Sequence, residues 1–244
     1  EPAVEQTSEP EPIVPVYDSV ALQAAIDQWA ASQSGAASIV VSDPVLGEAL
    51  ASHNAEQSYF TASIYKLYVA YEGYRAVDAG DLDPAQAYVN GNTLGECLDI
   101  MIRESDSPCA EKLWAELGKQ ELNDTLESYG LTGTDMIGLS TTAADTAIVL
   151  ERIATGEGLS DESQRAFLDS MKNQVFRDAL NKGFSEQVTV YNKIGFNGLV
   201  EYHDTAIIEL ESGDRLVVSV LTERIGTTQI AALGTAIEAV LITE

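Results

Sequence analysis

The 244 residues predict an α/β (α+β) fold: a five-stranded antiparallel sheet with the two terminal helices beside it, plus an inserted all-helical lobe. Three observations carry that expectation. Runs of β-branched residues occur only near the two ends of the chain, helical periodicity fills the middle, and 45% hydrophobic content over this length supplies a sizeable core. The expected organisation is an α/β lobe built discontinuously from residues 17–60 and 186–244, with residues 61–185 forming the helical lobe.

Residues 1–16 are dominated by Pro and Glu and show no apolar periodicity, so they read as a stiff, disordered linker. From Asp18 to Ala31, Leu22, Ala25, Ile26, Trp29 and Ala30 recur at helical spacing, with Asp18 or Ser19 as the cap. Two short strands follow, Ser38–Ser42 and Gly47–His53, separated by the Asp43-Pro44 turn signal. Thr93-Leu-Gly-Glu96 is a capping box opening a helix to about Glu104; helices from Ala110 to Leu117 and from Leu122 to Tyr129 end at Gly118 and Gly130. Two more helices are expected over 142–155 and 161–171. Strands return at Val188–Lys193, Asp204–Leu210 and Arg215–Leu221, the last two joined by the Glu211-Ser-Gly-Asp214 hairpin, and a helix over Thr228–Leu241 closes the chain.

Charge excludes one class of partner. Lys and Arg total 13 against 39 Asp and Glu, a formal net charge of −26, so neither nucleic acid nor an anionic lipid surface is an expected partner. No stretch approaches the roughly 18 apolar residues of a membrane span. A Pro/Glu tether ahead of a globular domain suits an extracytoplasmic protein, secreted or held at a cell surface. Cys97 and Cys109 are twelve apart; along a straight helix the rise would be roughly 18 Å, beyond disulfide reach, although a bend would change this. The expectation is two buried free thiols. His53 and His203 have no spacing partner, so no metal or cofactor is called for and both are expected on strand surfaces.

Three short patterns carry chemistry: Ser63-Ile64-Tyr65-Lys66, Ser105-Asp106-Ser107 and Lys193-Ile194-Gly195. Ser63 and Lys66, three apart on a helix, share a face, so an amine stands beside a hydroxyl. Lysine can take the proton of an attacking serine only when its pKa falls well below about 10.4, which burial and a second cation both promote. Lys193 is the candidate second cation. Ser105 would relay a proton to a leaving nitrogen, and Ser107 would orient substrate. Gly195 permits close backbone approach, and the Phe196 N–H with that of Ser63 would polarise the attacked carbonyl. Each motif has a bland reading: Ser63 as a cap beside a solvated Lys66, and Ser-Asp-Ser as a polar turn with Ser capping the next helix. Their order and context weigh against chance, since one Ser-x-x-Lys opens the helical insert and one Lys-x-Gly lies on a strand after it.

These residues resemble the penicillin-recognising serine acyltransferases, and specifically the class A β-lactamase branch, over nearly all of residues 18–244. Tyr59–Lys66 is similar to the nucleophile segment, Met101–Ala110 to the Ser-Asp-Asn segment, Leu139–Ala143 to the helix start beyond the Ω-loop, and Lys193–Gly195 with His203–Ile207 to the paired strands. The resemblance implies a β-lactamase/transpeptidase-like fold, with Ser63 as nucleophile, Lys66 as base, Ser105 as shuttle and Lys193 as electrostatic anchor. Substrate would contact Ser107, Ile194, Gly195 and Phe196.

Three positions depart from the pattern. Ser107 replaces the amide of Asn, Ile194 replaces a hydroxyl that helps hold a substrate carboxylate, and no Glu lies between Gly130 and Thr141, where Asp135 is the sole acid. The resemblance therefore implies an acyl-enzyme former with slow deacylation. Its expected substrates are a D-alanyl-D-alanine-like peptidoglycan stem peptide or a β-lactam. Competing expectations are a catalytically reduced cell-wall or β-lactam sensor, an efficient class A-like β-lactamase, and an esterase or amidase on the same scaffold.

Overall fold

The computed structural model describes residues 17–198 and 200–242. The linker expected over residues 1–16 lies outside that range. Helix α1 (Ser19–Ala31) begins where the Asp18 carboxylate accepts the Ala21 N–H, and it buries Leu22, Ile26 and Trp29. Strands β1 (Ala36–Asp43) and β2 (Glu48–His53) follow, then a two-residue strand β3 (Tyr59–Phe60).

A 3₁₀ turn at Ala62–Ile64 leads into α2 (Tyr65–Ala79), and then come α3 (Leu94–Arg103), α4 (Ser107–Leu117) and α5 (Lys119–Ser128). The short strand β4 (Ser140–Thr141) precedes α6 (Ala143–Thr155), α7 (Asp161–Lys172) and the single turn α8 (Leu180–Gly183). Strands β5 (Thr189–Asn197), β6 (Glu201–Glu209) and β7 (Arg215–Glu223) and helix α9 (Thr227–Leu241) complete the chain.

The five-stranded sheet has the order β2-β1-β7-β6-β5 and is antiparallel throughout. Both faces are covered. Leu22, Ile26, Ile230 and Leu233 of the terminal helices pack on Ile39, Val41 and Val218, while Val40, Ile207 and Val217 face the helical lobe. Double coverage explains why β1 and β7 are near-continuous apolar runs rather than alternating ones. Inside the lobe, α2 is buried almost all round, with Leu67, Tyr68, Val69, Ala70 and Tyr71 fully enclosed. The 3₁₀ turn that carries Ser63, at the start of α2, packs against β5, which is the edge of the sheet.

The expected capping box forms: Thr93 Oγ1 accepts the Glu96 N–H and the Glu96 carboxylate accepts the Thr93 N–H. Three expectations fail. Cys97 and Cys109 form a disulfide, with Cα atoms 5.2 Å apart, because the chain reverses between α3 and α4 instead of continuing as one helix. Asp106, not a serine, caps α4, its Oδ1 accepting the Cys109 N–H at 2.8 Å, so the helix starts three residues before the expected Ala110. His203 is fully buried rather than on a surface, whereas His53, at the end of β2, is part-exposed beside Asp27. Among the described residues no helix is long and apolar enough to cross a membrane.

Candidate active site

The site forms where the start of α2, the α3–α4 turn and the edge strand β5 meet. Ser63, Lys66, Ser105 and Lys193 come together there. The Lys66 ammonium donates to Ser63 Oγ at 3.3 Å, to the Ser105 carbonyl at 2.5 Å and to Ser107 Oγ at 2.9 Å, and it lies 3.4 Å from Ser105 Oγ. From the other side Lys193 donates to Ser105 Oγ at 2.9 Å and to the Ile194 carbonyl at 2.8 Å. Ser107 thus takes up a lysine contact despite lacking an amide.

Both lysines are buried, and every group they touch is a neutral oxygen. Burial pulls Lys66 down to about 8, against the opposing pull of the Asp106 and Glu111 carboxylates. Lys193 falls well below the usual lysine value, first through burial and then through the charge of Lys66. Two ammonium groups contact the same hydroxyl, which places them within the several-ångström range where like charges depress a pKa. At a pKa of about 8, roughly one Lys66 in ten is neutral at pH 7 and can accept a proton.

Backbone geometry is tight where the side chains converge. Ala62, next to Ser63, has φ +44° and Ser105 has φ +61°, left-handed conformations that non-glycine residues rarely adopt and that concentrate at functional sites. Gly195 is required for a different reason. A Cβ there would lie 2.9 Å from Ile64 Cγ1, 3.0 Å from the Thr61 carbonyl and 3.1 Å from His203 Cδ2, so only glycine lets β5 approach the turn that carries Ser63. Phe196 follows it half-exposed, its ring edge-on to Tyr202. Ile194 is buried and contributes its carbonyl to Lys193.

His203 fastens the sheet to the segment before Ser63. A carbonyl can only accept, so Nε2 donates to the Phe60 carbonyl at 2.8 Å; Nδ1 accepts the Thr222 N–H at 3.1 Å. The segment 131–141 is fastened from the opposite side: β4 pairs with β3, and the Leu139 carbonyl accepts the Thr61 N–H. Within it Asp135 accepts the Ile137 N–H and Asp145 accepts the Gly133 N–H, so both acids hold the loop together. A buried hydroxyl network of Tyr68, Thr134, Thr141 and Thr146 lies beneath.

Reading by motif missed His203, Tyr65 and Glu111. Tyr65 Oη donates to Glu111 Oε1 at 2.8 Å, one helical turn beyond Ser107. The spacing of Glu111, four after Ser107, was the available signal.

A serine thus stands beside two buried lysines on a scaffold of one sheet and one helical lobe. The model of the "Beta-lactamase enzyme family" matches residues 21–240, and the chain belongs to that family. A β-lactamase of Mycobacterium tuberculosis (strain ATCC 25177 / H37Ra) is 26% identical over 175 residues, covering 63% of this chain and 57% of that protein. The class A β-lactamase of the last common ancestor of Gram-negative bacteria superposes with a TM-score of 0.81 at 20% identity, covering 90% of this chain and 98% of its own. PBP-A superposes with a TM-score of 0.77 at 23% identity, covering 88% and 94%. A mutant of PBP-A, solved as an acyl-enzyme complex with penicillin G, gives 0.76 at 21% identity, covering 89% and 94%.

Proposed function

We propose that this chain forms an acyl-enzyme on Ser63 from a D-alanyl-D-alanine-like peptide or a β-lactam amide, and releases it slowly. The observation that carries the reading is the shared hydroxyl of Ser105, in contact with both lysines beside the nucleophile. Neutral Lys66 takes the Ser63 proton as Oγ attacks the carbonyl carbon; Ser105 passes a proton to the departing nitrogen. Lys193, in its protonated form, supplies a local positive charge in a protein of net charge −26, which otherwise repels a carboxylate-bearing substrate. The Ser63 and Phe196 N–H groups stabilise the oxyanion, a contribution of about 3 kcal/mol for one such donor.

Slow release follows from the 131–141 segment. It holds no Glu, and its one acid, Asp135, is committed to the Ile137 N–H. The Cys97–Cys109 disulfide supports an extracytoplasmic location, since such bonds persist in oxidising compartments. A second reading, an efficient β-lactamase, draws on the likeness to the mycobacterial enzyme.

Intact-protein mass after mixing with benzylpenicillin, followed in time, tests both. A long-lived adduct on wild type and none on Ser63→Ala is expected. Rapid turnover with no accumulated adduct selects the second reading, and an inert wild type discards both.

A further inference from the structure

If acyl-enzyme forms on Ser63, as proposed above, some group must deprotonate the water that removes it. The acids around the site are not equally free to do so. Asp106 caps α4, Asp135 holds the Ile137 N–H, and Asp145 holds the Gly133 N–H and the Thr134 hydroxyl. Glu111 holds no backbone group among the described residues.

Its position follows from the helix. Ser107, whose hydroxyl contacts Lys66, and Glu111 stand four apart on α4, so Glu111 lies on the same face one turn along, an axial step of about 6 Å. Tyr65, inside the nucleophile motif, reaches across to fix it. The Tyr65 ring is buried, tilts against Trp114 with centroids 5.4 Å apart, and sits 5.6 Å from the Lys66 ammonium. Its hydroxyl donates to Glu111 Oε1 at 2.8 Å. Among the described residues Oε2 meets the Lys119 ammonium alone, at 3.7 Å, and the side chain is about half exposed, so water reaches it. The same carboxylate bears on Lys66 strongly enough to oppose the lowering of its pKa.

We propose that Glu111, oriented by Tyr65, is the general base that activates the water hydrolysing the Ser63 acyl-enzyme. Glu111 Oε2 accepts a proton from water as the water oxygen bonds to the ester carbon. The tetrahedral intermediate collapses, the bond from carbon to Ser63 Oγ breaks, and the proton held by Glu111 returns to Oγ. The carboxylate and the hydroxyl are both restored and the acid departs. The base thus comes from the α4 side of the cleft, not from the 131–141 segment.

The test is the lifetime of the benzylpenicillin adduct, followed by intact mass on the full chain, in wild type, Glu111→Gln, Tyr65→Phe and, as a remote control, Lys172→Gln on the exposed end of α7. In Glu111→Gln acylation should stay within about 3-fold while the adduct persists about 100-fold longer, the scale of a lost general base. Tyr65→Phe should lengthen it by a smaller factor, and Lys172→Gln should match wild type. Decay of the Glu111→Gln adduct at the wild-type rate overturns the proposal. Equal losses in acylation and decay also overturn it, because they mark a structural role. If wild type forms no adduct, the acyl-enzyme reading itself fails and takes this one with it.

Discussion

Lys66 and Lys193 reach one hydroxyl, that of Ser105, from opposite sides, and among the described residues neither has a carboxylate partner. Burial holds Lys66 at about 8, and burial together with the Lys66 charge holds Lys193 well below the usual lysine value. A base of pKa about 8 makes acylation rise with pH and level off above that value. Removing Lys193 withdraws the like charge, so Lys66 should bind its proton more tightly. Acylation by Lys193→Ala is therefore expected to be slower at pH 7, with its rising limb displaced to higher pH. Stopped-flow acylation between pH 5 and 10 reads this directly; an unmoved limb would show that the two ammonium groups do not couple.

Gly195→Ala is a test of packing alone. The added Cβ meets Ile64, Thr61 and His203 at about 3 Å, and two of these contacts are to the turn that carries Ser63. Either β5 or the turn shifts, and a misplacement approaching 1 Å at a reacting centre costs about 100-fold. The loss should fall on acylation, with the melting temperature moved by only a few degrees. Wild-type acylation in this variant would mean the strand edge does not help hold the reacting carbonyl.

The disulfide closes a loop that contains both Ser105 and Ser107. Cross-linking a loop of this length stabilises by about 3 kcal/mol in the chain-entropy view. The double variant Cys97→Ala, Cys109→Ala should lose about that much in urea unfolding. It should also acylate more slowly, because the left-handed Ser105 turn loses its tie between α3 and α4. Stability falling without any change in acylation would confine the bond to a structural role.

What could be read from the sequence divides along a physical line. The caps at Asp18 and Thr93 are local and stand where expected, whereas the cap of α4 is Asp106 in place of a serine. Tertiary context decided the rest. The distance set for Cys97 and Cys109 assumed a straight helix, which the turn around Ser105 does not allow. Starting α4 at Ala110 instead of Ser107 hid that Ser107 and Glu111 share one face of the helix. His203 was placed on a surface because a lone histidine in a strand reads as the polar half of an alternation. In a sheet covered on both faces, alternation carries no information about solvent.

That buried histidine leads to a prediction about acid stability, because its neighbour Asp204 opposes it. Burial lowers His203 to about 4 from 6.5, so between these values the unfolded chain binds the extra proton. Its contribution is present above pH 6.5 and is lost as pH falls toward 4. Asp204, fully buried, is raised by desolvation to about 7 from 3.8, against the bonds it accepts from Asn192 and the Leu180 N–H and the charge of Lys193. Here the folded chain binds the extra proton, so its contribution is present below pH 3.8 and is lost as pH rises to 7. Each group carries a few kcal/mol, of opposite sign, over nearly the same window. Wild type should accordingly show a nearly flat stability between pH 4 and 6.5 from this pair. On acidification from pH 6.5, His203→Gln should become more stable than at its own pH 6.5 value, and Asp204→Asn should become less stable than at its own. Urea midpoints for the three proteins at pH 4.5 and 6.5 decide it, and parallel changes in all three would mean that neither group titrates in that window.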